Sequence, residues 1–228
     1  MTNILVYTAE FGGYEQEILK PYRPEYSKGV EKSYWRFSDT HFPSYHHVWQ
    51  QGISLLEMDH IRSPQYKSRF HKTDPYLHFH EGFFDYTIWV DANVELKVDP
   101  EVLIKLLGDD DIMVFRHRDR VDIDQEGEAV VRLKGQDQRV IRRQIEHYKE
   151  SGYWHFVPLP ETGITVRRVN KKVQEFNKMW WDQLNRFSVR DQMSFGFCAW
   201  KCGLKVGFFP GHVRSGKYNL LHRHRSKK

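Results

Sequence analysis

Cysteine is nearly absent from this sequence. The two that occur, Cys198 and Cys202, fall one turn apart in a predicted helix, a geometry that suits a disulfide poorly. No C-x-x-C pair exists to suggest a redox or metal motif. Free thiols in a reducing compartment are the reading, with a cytoplasmic location as the expectation. Long apolar runs are missing too: the stretch 86–90 is far too short to span a bilayer. Residues 1–7 carry neither a basic n-region nor a small-residue cleavage site, and read as a first strand rather than a signal peptide. Internal repeats and low-complexity linkers are lacking. The formal net charge of +5 comes largely from the end of the chain, residues 222–228. The body is close to charge balance, which argues against a dedicated nucleic-acid binder. The basic end reads as a solvated terminus, with weak contact to an anionic surface as its functional alternative.

What is present points to a folded enzyme-sized unit. Of 228 residues, 39% are hydrophobic and 15% aromatic, enough to bury a sizeable core. One domain over residues 1–218, followed by a basic tail at 219–228, is the expected organisation. Ile4 to Thr8 is a β-branched run that ends in Gly12-Gly13, a strand entering a glycine turn. Residues 20–32 read as loop, and 34–37 and 46–50 as short strands. Residues 65–72 predict a helix, and Pro75 starts another. The clearest strand is 86–90, followed by a shorter one at 94–98. Asp99-Pro100 then opens a helix with an N-cap and proline at its first position. Residues 112–115 predict a strand, 122–150 helix broken near Gly135, and 164–167 a strand. Asn170 caps a helix whose Val173, Phe176, Trp180 and Leu184 form one apolar stripe. A helix over 188–201 and a strand over 206–209 complete an alternation that predicts an α/β fold with a largely parallel sheet.

Asp91 and Asn93 directly follow the clearest strand. Residues two apart in an extended chain point the same way. Two oxygen-bearing side chains thus converge at the carboxyl end of a sheet strand, where α/β folds bind ligands. Such oxygens suit Mg²⁺ or Mn²⁺, which can bridge two phosphates. Asp and Asn are also turn residues, and on the motif alone a β-turn is the stronger reading. Ser188-Val189-Arg190-Asp191 looks like a capping box with Asp191 at the third helical position. Lys67 and Arg69 read as a solvated helix face. His78-Phe79-His80 lacks further ligands at zinc spacing and reads as surface. Trp180 and Trp181 read as core.

Several stretches together resemble the glycosyltransferase-like domain of plant mucilage-synthesis proteins and of many bacterial proteins. They are Tyr7-Thr8-Ala9-Glu10-Phe11-Gly12-Gly13-Tyr14, then Phe84-Asp85-Tyr86-Thr87-Ile88-Trp89-Val90-Asp91-Ala92-Asn93, then Phe115-Arg116-His117-Arg118-Asp119-Arg120. Glu161-Thr162-Gly163-Ile164, Met179-Trp180-Trp181 and Arg190-Asp191-Gln192-Met193-Ser194-Phe195 follow in order. The resemblance implies a GT-A, Rossmann-like fold and, through a more distant similarity to glycosyltransferase family eight, a set of roles. Asp91-Ala92-Asn93 stands where that family has D-x-D, and His212 precedes Gly216-Lys217-Tyr218 where the family has a histidine before its closing lysine motif. Asp91, Asn93 and His212 are thereby implied as ligands of Mn²⁺ or Mg²⁺, the Asn contributing an uncharged oxygen. Thr8, Ala9 and Glu10 are implied to border the nucleotide, and Lys72, Asp91, Gln192 and Lys217 to contact the donor. Glu161 and Asp191 fall where related enzymes touch sugar and acceptor; a structural role competes at both. His117 and Arg120 fit the family pattern and also a cleft wall.

The expected activity is transfer of a sugar from a nucleotide-diphosphate donor, a UDP-sugar, to a glycan or other hydroxyl acceptor. Metal dependence and retention of anomeric configuration come with the family-eight similarity. Two other classes use the same residues: a metal-dependent hydrolase that activates water, and a non-catalytic glycan- or nucleotide-binding module.

Overall fold

In the computed structural model, which describes residues 1–13, 27–39, 49–52, 63–73 and 82–222, the first apolar run is strand β1 (Thr2–Glu10). Its side chains alternate between two apolar layers: Ile4 and Val6 pack into one cluster, Leu5, Tyr7 and Ala9 into another. Strand β4 (Tyr86–Val90) does the same with Ile88 and Val90 against Trp89, and β6 (Ile112–Arg116) with Met113 and Phe115 against Ile112 and Val114. Strands covered on both faces have no polar side to show, which is why these segments read as continuous apolar runs.

The remaining strands are β2 (Val30–Ser38), β3 (Gln50–Gly52), β5 (Val94–Leu96), β7 (Pro160–Arg168), β8 (Val206–Phe208) and β9 (Asn219–Leu221). The main sheet has the order β3-β2-β1-β4-β7-β6-β8. All pairings are parallel except the two made by β7, which runs antiparallel to β4 and β6. Six helices accompany the described strands: α1 (Pro64–Thr73), α2 (Pro100–Leu107), α3 (Ile123–Lys134), α4 (Gln138–Glu150), α5 (Lys171–Arg186) and α6 (Asp191–Lys201). This is the α/β, GT-A-like arrangement that the resemblance implied. Among the described residues no helix is long and apolar enough to cross a membrane.

Local sequence accounts for most boundaries. Asp99 caps α2 by accepting from Glu101 N at 2.9 Å, with Pro100 in the first position. Gly135 ends α3 in a left-handed conformation, the break expected near that residue. Asn170 caps α5 through Val173 N at 2.9 Å, and the predicted stripe Val173, Phe176, Trp180 and Leu184 is wholly buried. Cys198 and Cys202 are free.

Three segments differ from expectation. Residues 30–32, read as loop, begin β2. Residues 188–190 precede α6 rather than opening it. Asn219–Leu221, assigned to the tail, form β9 and pair antiparallel with β5. Tyr14, residues 46–48, Pro75, His78-Phe79-His80 and residues 223–228 lie outside the described residues.

Candidate active site

Chain order reverses beside β1: β2 and β3 extend the sheet to one side of it, and β4 lies on the other. Ligands of open α/β sheets bind at such a switch point, beyond the carboxyl ends of the strands. A cleft of about 570 Å³ sits there, lined by Ala9, Glu10 and Phe11 from the end of β1 and by Asp91, Ala92 and Asn93 from the end of β4. Because β7 is antiparallel, its beginning reaches the same edge, with Ile164 opposite Val90 and Pro160 opposite Arg116. Glu161-Thr162-Gly163 therefore joins the strand ends, as do the segments that follow β6 and β8.

Helix α1 closes one side. Gln65, Ser68 and Arg69 lie on its cleft face, and Lys72 continues that stripe one turn on. Lys72 is fully buried. Its carbonyl accepts from the Tyr7 hydroxyl at 3.2 Å and from Arg167 Nη2 at 2.8 Å, which fixes the end of α1 against the sheet. Its ammonium lies 3.1 Å from Asp91 Oδ1, 3.1 Å from Thr162 Oγ1 and 2.6 Å from Asp191 Oδ2. Thr162 Oγ1 also donates to Asp191 Oδ2 at 2.7 Å, and Arg69 Nη2 approaches Asp191 Oδ1 at 3.5 Å. Trp89 Nε1 donates to Asp91 Oδ1 at 2.6 Å. One ammonium thus joins two carboxylates, Asp91 and Asp191, that lie far apart in the sequence.

The capping box expected at residues 188–191 does not form. Ser188 Oγ accepts from Arg190 N at 3.1 Å, too early to reach the third helical residue. Arg190 is the residue at the cap position, with no side-chain cap bond, and Asp191 opens α6. The Asp191 carboxylate turns inward to Lys72, Thr162 and Arg69, and the residue is 2% exposed. Burial alone would push its pKa up; the charges of Arg69, Lys72 and Arg190 outweigh that and hold it well below the usual carboxylate range. A carboxylate depressed on folding adds stability that is complete above its unfolded pKa of about 3.9 and is lost as acid takes it below that value. The Tm should therefore hold from neutral pH to about 5 and fall steeply below about 4, and the acid limb should be shallower in Asp191→Asn. Parallel acid limbs would show that Asp191 is not the responsible group.

Glu161 also lies at this edge. Burial pushes its pKa up, and the Val213 N–H it accepts, with Arg214 and His212, offsets only part of that rise. Its Oε2 is buried without a hydrogen-bond partner among the described residues. Glu161 thus tethers the segment that carries His212. His212 is half-buried, and its Nδ1 accepts from Arg214 N at 3.2 Å.

The other implied contacts are placed differently. Thr8 is buried and does not line the cleft, whose β1 lining begins at Ala9. Lys72 meets carboxylates inside the wall rather than the cleft. Gln192 binds the Pro160 carbonyl at 2.8 Å and Arg190 at 3.1 Å, tying α6 to β7. Lys217 is exposed over the Tyr218 ring, away from the cleft lining. His117 Nε2 lies 2.7 Å from Arg120 Nη2, and Arg120 pairs with Glu126, so both belong to the wall behind Arg190.

Mn²⁺ or Mg²⁺ at Asp91, Asn93 and His212 would meet a poor donor set. The Asp91 contacts both fall on Oδ1, one of them from the Lys72 ammonium, so that oxygen already has its partners. Asn93 is buried and turns Nδ2 to the His222 carbonyl at 3.2 Å. Among the described residues no three of His, Cys, Asp or Glu form a group able to hold a metal ion.

Trp89 belongs to the site without having been singled out, and Thr162 was quoted only within its motif. Arg69, read as a solvated helix face, instead lines the cleft and lies 3.5 Å from Asp191, because that buried carboxylate draws it inward. Trp89 was within reach by the same two-residue spacing that pairs Asp91 with Asn93, and Arg69 by its place three residues before Lys72. Lys134 and Arg190 complete the cleft lining from α3 and the start of α6; no spacing in the sequence brings them there.

Residues 75–218 match the TOD1/MUCI70, glycosyltransferase-like domain. The chain is 29% identical over 134 residues to the probable hexosyltransferase MUCI70 of Arabidopsis thaliana, a match covering 54% of this chain and 23% of that protein. It is 31% identical over 124 residues to alkaline ceramidase TOD1 of the same plant, covering 49% of this chain and 27% of that protein. The matches thus span about a quarter of the length of each of these relatives.

Proposed function

The chain belongs to the TOD1/MUCI70 family of glycosyltransferase-like domains, and from that premise we propose that it transfers a sugar from a nucleotide-diphosphate donor, a UDP-sugar, to a hydroxyl acceptor. The observation that carries the proposal is the cleft at the switch point, with Asp91 at its floor coupled through Lys72 to Asp191. In this reading Ala9, Glu10 and Phe11 border the nucleotide, and the diphosphate lies over Asp91 between α1 and the start of α6. Asp191 acts from behind the wall as a positioning residue: it holds Lys72 and Arg69, and through Lys72 sets the charge of Asp91. Its carboxylate is wholly engaged and is no candidate for a covalent nucleophile. Departure of the diphosphate on the face that the acceptor attacks, with the leaving phosphate taking the acceptor's proton, fits that engagement and would retain configuration.

Asp91→Ala tests the assignment. The Asp91 side chain is 33% exposed and Lys72 keeps Asp191 and Thr162, so the variant should fold. Turnover of a panel of UDP-sugars, read as released UDP, should fall by a factor on the order of a hundred, the scale of a lost polar contact to a transition state. Turnover equal to the parent's would move the donor site elsewhere.

The relative called an alkaline ceramidase supports a second reading, hydrolysis of an amide-linked lipid. A cleft lined by Arg69, Lys134 and Arg190 suits a phosphorylated ligand better than an apolar chain. Release of fatty acid from a ceramide without any nucleotide would favour the hydrolase.

A further inference from the structure

The charge of the cleft can be read chain by chain along its ion pairs. Among the described residues Glu10 is matched by Arg36 at 3.1 Å. Asp91 and Asp191 are matched by Lys72 and Arg69. Glu126, buried behind the wall, has both Arg120 and Arg190. Lys134 lines the cleft and is exposed. Among the described residues of this ion-paired network and the cleft lining these are six cations, Arg36, Arg69, Lys72, Arg120, Lys134 and Arg190, against four carboxylates, Glu10, Asp91, Glu126 and Asp191. The excess of two positive charges equals what one divalent ion would bring, and it sits on the Arg190 and Lys134 side. Arg69 Nε and Arg190 Nε are buried and unpaired among the described residues. Orphan donors of this kind call for a ligand or water to satisfy them.

We infer that the cleft binds the diphosphate of a nucleoside diphosphate without a divalent metal, through Arg190 and Lys134, with Lys72 cancelling the charge of Asp91 from within the wall. The inference rests on the nucleotide-sugar reading above and names how that ligand is held. Asp91 would otherwise repel a diphosphate, and in metal-using sites the ion removes that repulsion. Here a fixed ammonium 3.1 Å from the carboxylate does so before any ligand arrives. Arginine and lysine supply charge-assisted hydrogen bonds to phosphate oxygens.

The test is calorimetry of UDP with the intact protein, once in EDTA and once in excess Mn²⁺, repeated on Arg190→Gln and Lys134→Gln. Arg190→Gln leaves Glu126 its partner Arg120, and Lys134 is exposed, so both variants should fold; a denaturant melt checks it. The parent should bind UDP with the same Kd in both buffers. The Arg190 variant should bind roughly ten- to hundredfold more weakly, the scale of one lost hydrogen bond to a charged group, and the Lys134 variant should weaken in the same direction with a flatter salt dependence. Binding that is tenfold or more tighter with Mn²⁺ overturns the inference and leaves the donor reading standing. Parental affinity in both variants overturns the assignment of the two cations. Failure of UDP, GDP and ADP alike to bind in either buffer removes the donor reading and this inference with it.

Discussion

Asp191→Asn should lower turnover of a full sugar donor by a factor on the order of a hundred or more, while UDP affinity does not fall. The substitution keeps the shape of the side chain and removes its charge. Lys72 then has one carboxylate instead of two, Asp91 at 3.1 Å, beside the Thr162 hydroxyl, and loses its shortest contact. Affinity is spared because losing a negative charge beside the cleft cannot weaken an anion. As a mere capping residue Asp191 would tolerate Asn within about 1 kcal/mol, but it is buried in an ion pair. Lys72 keeps Asp91, but Arg69 loses the carboxylate it faces, and breaking a buried pair of this kind costs about 3 kcal/mol, or a Tm roughly 6–12 °C lower in a chain of this size. Donor turnover, UDP calorimetry and a thermal melt on one preparation separate the effects. A lower Tm with parental turnover would leave Asp191 purely structural.

Lys72→Met should have the larger cost in stability, about 3–5 kcal/mol. It leaves Asp91 and Asp191 without the ammonium between them, and Asp191 is buried. Nucleotide affinity should fall as well, since Asp91 regains a charge that faces the diphosphate. Adding Asp191→Asn to Lys72→Met should restore part of the lost stability, with a coupling energy on the order of 1–3 kcal/mol, and restore none of the turnover. Additive stability losses in the double-mutant cycle would mean that the contact between Lys72 and Asp191 carries no energy.

The fold was legible because its signals are local. Caps at Asp99 and Asn170, the break at Gly135 and the buried stripe of α5 each follow from a few neighbouring residues. The position of Asp91 at a strand end was equally visible. The partnership of Asp91 was not, because it joins residues 72, 91, 162 and 191, and periodicity says nothing about contacts across such distances. The capping-box reading failed for a related reason. Ser188 and Asp191 have the spacing of a cap, yet Lys72 offers the carboxylate a stronger, charged partner, and local preference yields to it. Thr8 and Lys217 were carried by motif position alone, and neither the burial of Thr8 nor the exposure of Lys217 places them in the cleft.

The clamp on the Lys72 carbonyl ties this wall to the order of folding. Its two donors, Tyr7 and Arg167, stand 65 and 95 residues away in the chain. Contacts of such separation pay their loop-closure entropy before they return any energy, and they form late. Until β1 and β7 have both docked beside β4, α1 has no anchor for its last turn and Lys72 stays in water. The charge pattern of the cleft is therefore a property of the completed sheet, and a partly folded chain with every helix in place would still present Asp91 as an ordinary, repelling anion.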